Sequence, residues 1–393
     1  MKRLLILVFL LLLGDIALAG GWGTGALMVI VERESGSVLV VDSTRHEVLG
    51  RVEGLGLLHH ASISFSRDSR YAYVTTRDGY LNKVDLLDLR LVKRVKVGES
   101  TIGLAITQDN RFVAISNYKP GDVRVLDTET LEVVKVIPAV RELPGGERRE
   151  SRTVGLVDAP DNLLIFSLMD TDGIWVIDAK RPDFPVIRRF WDVGRMPYDG
   201  ILTPDGRYYL AGLFHSEGVA LLDTWDLTEV KIFPFQDLTQ NHAKVPVLKV
   251  SHFGGIAITG DLLFVPVVGE ARLAVYSTRD WKLVKSIPLV ASPVFAIVRP
   301  DGRQVWVNFA LGNRNNTVQV IDVQKLEVVK TLEPGSRVFH LQFTPKGDAV
   351  YISANLDDKV VIYNTASFKP IKEIPVRRPS GIFSTDRAHK FGL

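Results

Sequence analysis

Short apolar strands separated by one recurring polar turn account for almost the whole chain. The clearest copy spans residues 59–73, where an alternating strand is followed by a Ser-x-Asp-x-Arg turn and a second strand rich in Tyr and Val. The unit returns with a period of roughly 40 to 50 residues, which is the period of propeller blades. The later copies begin at Gly103, Gly155, Gly200, Ala257, Ala296 and Leu341.

Each copy continues with a third strand that ends in Asp or its equivalent and with a fourth apolar strand. Four short strands per unit, without helical periodicity between them, predict four-stranded antiparallel blades around a channel. The first unit has only three strands, at residues 26–31, 37–42 and 48–52, and residues 380–384 supply the missing innermost one. We therefore predict an all-β fold, an eight-bladed β-propeller closed by its C-terminal strand, which removes free sheet edges.

The N-terminal residues have the pattern of a signal peptide. Lys2 and Arg3 precede an apolar run at residues 4–13, and Ala17-Leu18-Ala19 forms an A-x-A cleavage site. We predict export to the periplasm, with residues 1–19 removed and residues 20–393 forming one propeller domain. The chain has no cysteine, which excludes a lipoprotein anchor, disulfides and a C-x-x-C-H attachment of covalent haem c. The net charge of +3 gives no indication of nucleic-acid binding.

Three segments outside the repeats have alternative interpretations. The glycine-rich residues 21–25 resemble a dinucleotide-binding fingerprint, but that motif needs a following helix, and a strand is predicted here; a flexible start of the mature chain is the preferred interpretation. Residues 141–152 form a charged surface loop, because the repeat resumes in phase after them. Residues 235–250, which include His242 and Lys244, are either a mobile cover or a binding element.

Propeller geometry places the candidate binding residues together. Loops that enter the innermost strands and loops between second and third strands lie on one face, around the channel opening, which gathers histidines and a ring of cations. Such a surface concentrates anionic ligands, and guanidinium groups bind carboxylates bidentately. A single arginine at such a position is also a common solvated loop residue. The candidate binding residues are Arg77, Asn117, Tyr118, Arg152, Arg195, His252, Asn308 and Arg337.

Three histidines and one aspartate are further candidates. His60, His252 and His340 occupy nearly the same position in three different blades and could converge on the axis. Asp158 stands in an innermost strand where the other units have apolar residues, and a buried carboxylate is costly unless it is paired. It is either a functional group or an aspartate that bonds to the backbone at a strand end.

With these residues in view, the chain resembles the NirF-type periplasmic proteins of haem d1 biosynthesis, relatives of the d1 propeller of cytochrome cd1 nitrite reductase. The resemblance covers essentially the whole mature chain. Its most specific stretches are residues 60–62 with 65–74, residues 116–121, residues 151–160, residues 194–214, residues 299–310 and residues 379–393.

The resemblance implies a protein that binds haem d1 or a late precursor such as dihydro-haem d1, which would explain the cationic opening and the axial histidines. We expect His340 to be the axial iron ligand, because other units have small residues such as Ser62 and Gly103 at this position. His60, in the family-matching His-Ala-Ser segment, and Asp158 are the catalytic candidates. The expected partners are the tetrapyrrole, cytochrome cd1 nitrite reductase and other haem d1 assembly proteins; a homodimer is left open.

Three functions fit these expectations. The first is a dehydrogenase that acts on the tetrapyrrole or its propionate side chain. The second is a non-catalytic carrier that delivers haem d1 to nitrite reductase. The sequence contains no recognisable flavin or nicotinamide signature, which weighs against an autonomous oxidoreductase. The third, a propeller that serves only as an interaction platform, leaves the cationic opening without a purpose.

Overall fold

The computed structural model describes residues 23–215, 218–233, 257–267 and 270–391. The predicted signal peptide, His252 and the 235–250 insertion lie outside these residues. The described chain contains strands β1 to β34 and three short 3-10 helices, Pro160–Asn162, Asn355–Asp357 and Thr385–His389.

The first half of the strands forms the first four blades, apart from the closing strand of blade 1, and also includes the separate hairpin strands β12 and β13. They are β1 (Leu27–Glu32), β2 (Ser37–Asp42), β3 (Glu47–Val52), β4 (Ile63–Phe65), β5 (Tyr71–Thr75), β6 (Tyr80–Asp85), β7 (Arg90–Lys96), β8 (Ser100–Ile106), β9 (Phe112–Lys119), β10 (Asp122–Asp127), β11 (Val133–Pro138), β12 (Val140–Glu142), β13 (Arg148–Glu150), β14 (Thr153–Ala159), β15 (Leu163–Leu168), β16 (Gly173–Asp178) and β17 (Val186–Trp191).

The second half forms blades 5 to 8 and the closing strand. They are β18 (Pro197–Leu202), β19 (Tyr208–Leu213), β20 (Val219–Asp223), β21 (Val230–Phe233), β22 (Ala257–Thr259), β23 (Leu262–Val267), β24 (Arg272–Ser277), β25 (Leu283–Pro288), β26 (Phe295–Val298), β27 (Gln304–Asn308), β28 (Val318–Asp322), β29 (Glu327–Leu332), β30 (Leu341–Phe343), β31 (Ala349–Ala354), β32 (Lys359–Asn364), β33 (Pro370–Pro375) and β34 (Pro379–Ser384).

These strands form eight four-stranded antiparallel sheets, as predicted. Seven sheets consist of consecutive strands, and the eighth has the order β3-β2-β1-β34. The closing contact pairs Met28 with Ser384 and Ile30 with Ile382. The charged loop at residues 141–152 contains its own small hairpin, β12–β13, which stands apart from the blades.

The recurring turn is built by one aspartate. In blade 3, Asp109 accepts a hydrogen bond from the Thr107 hydroxyl at 2.6 Å and from the Arg111 backbone N–H at 3.1 Å. Asn110 between them has a φ of 63°, a left-handed conformation that Asn tolerates well. The Ser/Thr-x-Asp-x-Arg spacing is therefore a local device that reverses the chain from the first strand to the second.

Apolar residues of neighbouring sheets form the core. Ala105 and Val125 of blade 3 lie in one buried cluster with Leu164, Phe166 and Trp175 of blade 4. Each large apolar side chain removed from water contributes about 1.5–3 kcal/mol. Packing between blades therefore stabilises the ring and fixes the inner strands around the channel.

Candidate functional site

All inner strands enter the channel from the same end, which we call the mouth; the opposite end is the far end. The loop before an inner strand and the loop between second and third strands meet at the mouth. In blade 2 the Arg77 backbone N–H donates to the Leu57 carbonyl at 2.9 Å, which joins two such loops. The geometry expected from the sequence therefore brings Arg77, Arg152 and Arg337 to one face.

An aromatic cluster with two arginines lies on the side of the mouth formed by blades 2 to 5; we call it the Tyr118 cluster. Arg77 Cζ lies 4.6 Å from the centre of the Tyr118 ring, and Arg152 Cζ lies 5.6 Å from it. The hydroxyl oxygens of Tyr118 and Tyr198 are 2.5 Å apart. The Tyr198 ring stacks on Phe214 with centroids 4.4 Å apart.

Burial and charge set the protonation of this cluster. Burial raises the pKa of Tyr118, and burial together with the Asp199 charge raises that of Tyr198, so both phenols stay protonated near neutral pH. Arg152 forms a bidentate ion pair with Asp170 and is already largely compensated. Arg77, by contrast, has no carboxylate within ion-pair distance among the described residues. Of the two guanidinium groups, that of Arg77 is the one available to an anionic ligand.

A second group, the Phe339 cluster, lies at the mouth in blades 8 and 1. Arg33 Cζ and Arg337 Cζ lie 5.4 and 5.3 Å from the centre of the Phe339 ring. Burial, together with the charge of Arg337, lowers the pKa of Arg33. Within the described chain neither arginine has an ion-pair partner. Two like charges held this close favour the arrival of an anion.

The two described candidate histidines differ in accessibility. His60 is exposed on the loop before β4, with a φ of 58°. His340 is buried, and its ring stacks on Phe383 with centroids 5.9 Å apart. Its Nδ1 accepts the Ile382 backbone N–H at 3.2 Å. The neutral ring then carries its proton on Nε2, so iron ligation through that atom would require loss of the Ile382 hydrogen bond.

Asn117 and Asn308 do not present their side chains at the mouth. Both are fully buried. Asn117 Nδ2 donates to the Val97 carbonyl at 2.9 Å, and Asn308 Nδ2 donates to the Val338 and Phe339 carbonyls at 2.9 and 3.0 Å. Each amide holds the loop that enters an inner strand. These contacts show a structural use of both side chains, and their role in binding stays a prediction.

Asp158 lies near the far end of its inner strand. It is buried and pairs with Arg67 at 2.7 Å, and it accepts a hydrogen bond from Gln108. Thr153, five positions earlier on β14, accepts the Asn117 backbone N–H near the mouth. Five strand residues span about 16 Å. The structure therefore does not bring Asp158 together with the mouth residues, and its catalytic role stays a prediction.

The channel beneath the mouth is narrow. Among the described residues, Ser62, Gly103, Asp199 and Arg387 line a cavity of about 30 Å³ there. That is room for roughly two water molecules. This cavity is too small for a large flat ligand. Arg195 is exposed on the loop before β18 at the same end.

Arg33, His59 and Phe339 lie in loops that the sequence places at the mouth, although they were not singled out as binding residues. Tyr198 and Phe214 were not among the residues expected there from the sequence. Burial, with the neighbouring charge of Arg33, lowers the pKa of His59, which places this histidine beside the Phe339 cluster. Tyr198 lies within residues 194–214, one of the stretches that carry the family resemblance. Its place in that stretch could have indicated it as a candidate binding residue.

The described residues contain no group of three or more His, Cys, Asp or Glu side chains that could hold a metal ion. Within the same residues no helix is long and apolar enough to cross a membrane.

Comparisons with known proteins show the family of the chain. A family model described as "Cytochrome D1 heme domain" matches residues 22–388. Protein NirF of Pseudomonas aeruginosa is 48% identical over 371 residues, which cover 94% of each chain. Protein NirF of Stutzerimonas stutzeri is 43% identical over the same share of both chains. The solved structure of dihydro-heme d1 dehydrogenase NirN in complex with DHE superposes with a TM-score of 0.81 at 25% identity, covering 94% of this chain and 77% of that chain.

Proposed function

This chain belongs to the cytochrome d1 haem domain family, in its NirF branch, and from that premise we propose that it holds a late haem d1 precursor across the mouth. Its role lies in haem d1 biosynthesis. A d1-type tetrapyrrole is flat and carries several carboxylates, so it needs both an apolar surface and cations. The structural match to a propeller solved with DHE supports a ligand of this type.

The observation that carries the proposal is the pair of arginine–aromatic clusters around one opening. Tyr118, Tyr198 and Phe339 offer ring surfaces for a planar ligand. Arg77 and Arg33, which lack carboxylate partners in the described chain, bind its carboxylates. Charge-assisted hydrogen bonds of this kind contribute about 1.5–3 kcal/mol each.

His60 is the histidine placed to act on the face of the bound ligand. It is exposed at the mouth, whereas His340 is enclosed between the inner strands of blades 8 and 1. His60 therefore serves as an acid–base group or as an iron ligand in this proposal. Tyr118 and Tyr198, both protonated, share a hydrogen bond beside the ligand, and the hydroxyl that accepts in this bond can donate its own proton to a ligand carboxylate.

A carrier releases the tetrapyrrole unchanged, whereas a dehydrogenase releases it with two hydrogens fewer. A dehydrogenation removes two electrons and two protons from the tetrapyrrole, and the electrons need an acceptor. We favour the carrier, because the observed mouth supplies rings, cations and proton donors, which are the means of binding. The dehydrogenase is the alternative function, and a relative named dihydro-heme d1 dehydrogenase, 28% identical over 366 residues, supports it.

Anaerobic incubation of the purified protein with dihydro-haem d1 separates the two functions. A change in the ligand absorption spectrum with unchanged ligand mass is expected for a carrier. Loss of two hydrogens from the ligand mass would establish a dehydrogenase. Absence of any spectral change would contradict the proposed binding itself.

We also propose that the protein acts in the periplasm and passes its ligand to cytochrome cd1 nitrite reductase. The basic and apolar N-terminal pattern with Ala17-Leu18-Ala19 supports export. Intact mass of the protein from a periplasmic fraction should correspond to a chain that starts at Gly20. A periplasmic species that still begins at Met1 would contradict cleavage after Ala19.

A further inference from the structure

A deep groove lies on the outer rim of the propeller, away from the mouth and the channel; we call it the rim groove. It separates β11, the outermost strand of blade 3, from β17, the outermost strand of blade 4, and the β12–β13 hairpin borders it. Its volume is about 700 Å³. Small-molecule sites measure about 300–1,000 Å³, so the groove has the size of a ligand site.

The hairpin is a fixed wall of this groove. Arg141 donates two hydrogen bonds to Asp192, at 2.9 and 3.0 Å, and one to the Thr171 carbonyl at 3.0 Å. Its Cζ also lies 4.9 Å from the Trp191 ring. One side chain thus fastens the hairpin to blade 4 by three hydrogen bonds and a cation–π contact. The groove is therefore largely formed before any ligand arrives.

The inner wall of the rim groove is aromatic and contains an unsatisfied donor. Trp175 and Phe184 are 3% and 2% exposed, and Trp191 packs against the edge of Trp175 with centroids 5.7 Å apart. The Trp175 indole N–H is buried and has no acceptor in the structure. A buried indole N–H normally has a hydrogen-bond partner. The missing acceptor marks a position where a ligand oxygen could accept the hydrogen bond of this indole N–H.

The charges that line the rim groove favour an anion. Lys135 and Arg189 have no ion-pair partner in the described chain, and Arg189 Cζ lies 4.9 Å from the Trp175 ring. Arg148 Nε lies 4.0 Å from Glu142 Oε1, and both side chains are well exposed, so this ion pair is weak. The other acid, Asp183, pairs with Arg181. Two uncompensated cations thus lie beside an aromatic wall.

We propose that the rim groove binds a small flat aromatic carboxylate. Its ring packs against Trp175 and Trp191, and its carboxylate lies between Lys135 and Arg189. The exposed Arg189 side chain can move off the Trp175 ring and give the carboxylate access to the indole N–H. This site is separate from the mouth and does not depend on the function proposed for the mouth.

Indole N–H resonances of ¹⁵N-tryptophan-labelled protein test the rim groove. The chain has six tryptophans, and Trp175→Phe identifies the resonance of Trp175. The probes are 2-naphthoate and protoporphyrin IX, a small and a large flat carboxylate. We expect at least one of them to shift the Trp175 resonance saturably. Lys135→Met and Arg189→Met should each weaken that binding about 3- to 10-fold through loss of a charge-assisted contact.

Lys372→Met is the matched control, because Lys372 on β33 pairs with Ile362 in the way that Lys135 on β11 pairs with Val125. This control should leave the titration unchanged. The remaining indole resonances report whether each variant keeps its fold. The proposal is overturned if neither probe shifts the Trp175 resonance. It is equally overturned if the shift persists with the same affinity in both folded charge variants.

Discussion

The hydroxyl oxygens of Tyr118 in blade 3 and Tyr198 in blade 5 lie 2.5 Å apart, although 80 residues separate them in the chain. This hydrogen bond bridges the intervening blade at the mouth. It sets the Tyr118 ring between Arg77 and Arg152. The Tyr118 ring therefore has a fixed orientation before any ligand arrives, which reduces the entropy that binding must overcome.

Removal of the Tyr118 ring should weaken tetrapyrrole binding. Tyr118→Ala removes a ring surface and the contact that orients Arg77, which together contribute about 1–3 kcal/mol. Tyr118→Phe keeps the ring and loses only the hydrogen bond to Tyr198, so its effect should be about 1 kcal/mol or less. Absorbance titration with haem d1 measures both.

Trp225→Ala is the control for this pair of variants. Trp225 is 66% exposed and also contacts an arginine, with Arg207 Cζ 4.7 Å from its ring, but it lies at the far end. Its replacement should leave the titration unchanged. Equal affinities of the wild type and Tyr118→Ala would show that the ligand does not contact the Tyr118 cluster.

The Asp158–Arg67 pair should matter for stability. Asp158→Asn leaves the Arg67 guanidinium without its counter-charge, and disruption of such a buried pair costs about 3 kcal/mol or more. Arg67→Met in the same chain should recover part of this loss, because the two residues are coupled. Denaturant unfolding measures the free energies, and ligand affinity of the folded variants should stay at the wild-type value. Loss of function in Asp158→Asn at unchanged stability would instead support the catalytic role expected from the sequence.

The fold was predictable because its signals are local. The Ser/Thr-x-Asp-x-Arg turn needs only a hydroxyl, a carboxylate and one residue that accepts a left-handed conformation, as Thr107, Asp109 and Asn110 show. The closing strand followed from a count of strands in the first unit. The turn uses neighbouring residues and the closing strand uses a strand count, so neither inference needs knowledge of packing.

The site was predictable only in part, because strand position gives the face on which a residue lies but not the direction of its side chain. Asn117 and Asn308 stand at the expected end of their strands, yet both amides turn inward to hold backbone carbonyls. Asp158 breaks the apolar pattern of its strand because Arg67, 91 residues earlier, neutralises it. Contacts between residues far apart in the sequence, such as that of Arg33 with Phe339, leave no periodic signal.

The two histidines should affect bound haem d1 in different ways. We expect His60→Ala to shift the absorption bands of the complex, because His60 is exposed at the mouth and imidazole ligation changes the iron spectrum. His340→Ala should chiefly lower thermal stability, because it removes the hydrogen bond to Ile382 and the contact with Phe383. A band shift in His340→Ala alone would instead support His340 as the axial ligand, the assignment made from the sequence.

The most direct test of a carboxylate-binding mouth is a haem d1 titration of the Arg33→Met and Arg77→Met variants at low and high salt. Each variant should lose about 1–3 kcal/mol of binding free energy and show a weaker salt dependence than the wild type. Arg152→Met should lose less, because Asp170 already compensates Arg152. Arg207→Met, at the far end and paired with Asp223, should match the wild type. If Arg33→Met and Arg77→Met bind haem d1 as the wild type does at both salt concentrations, the ligand does not bind at this mouth.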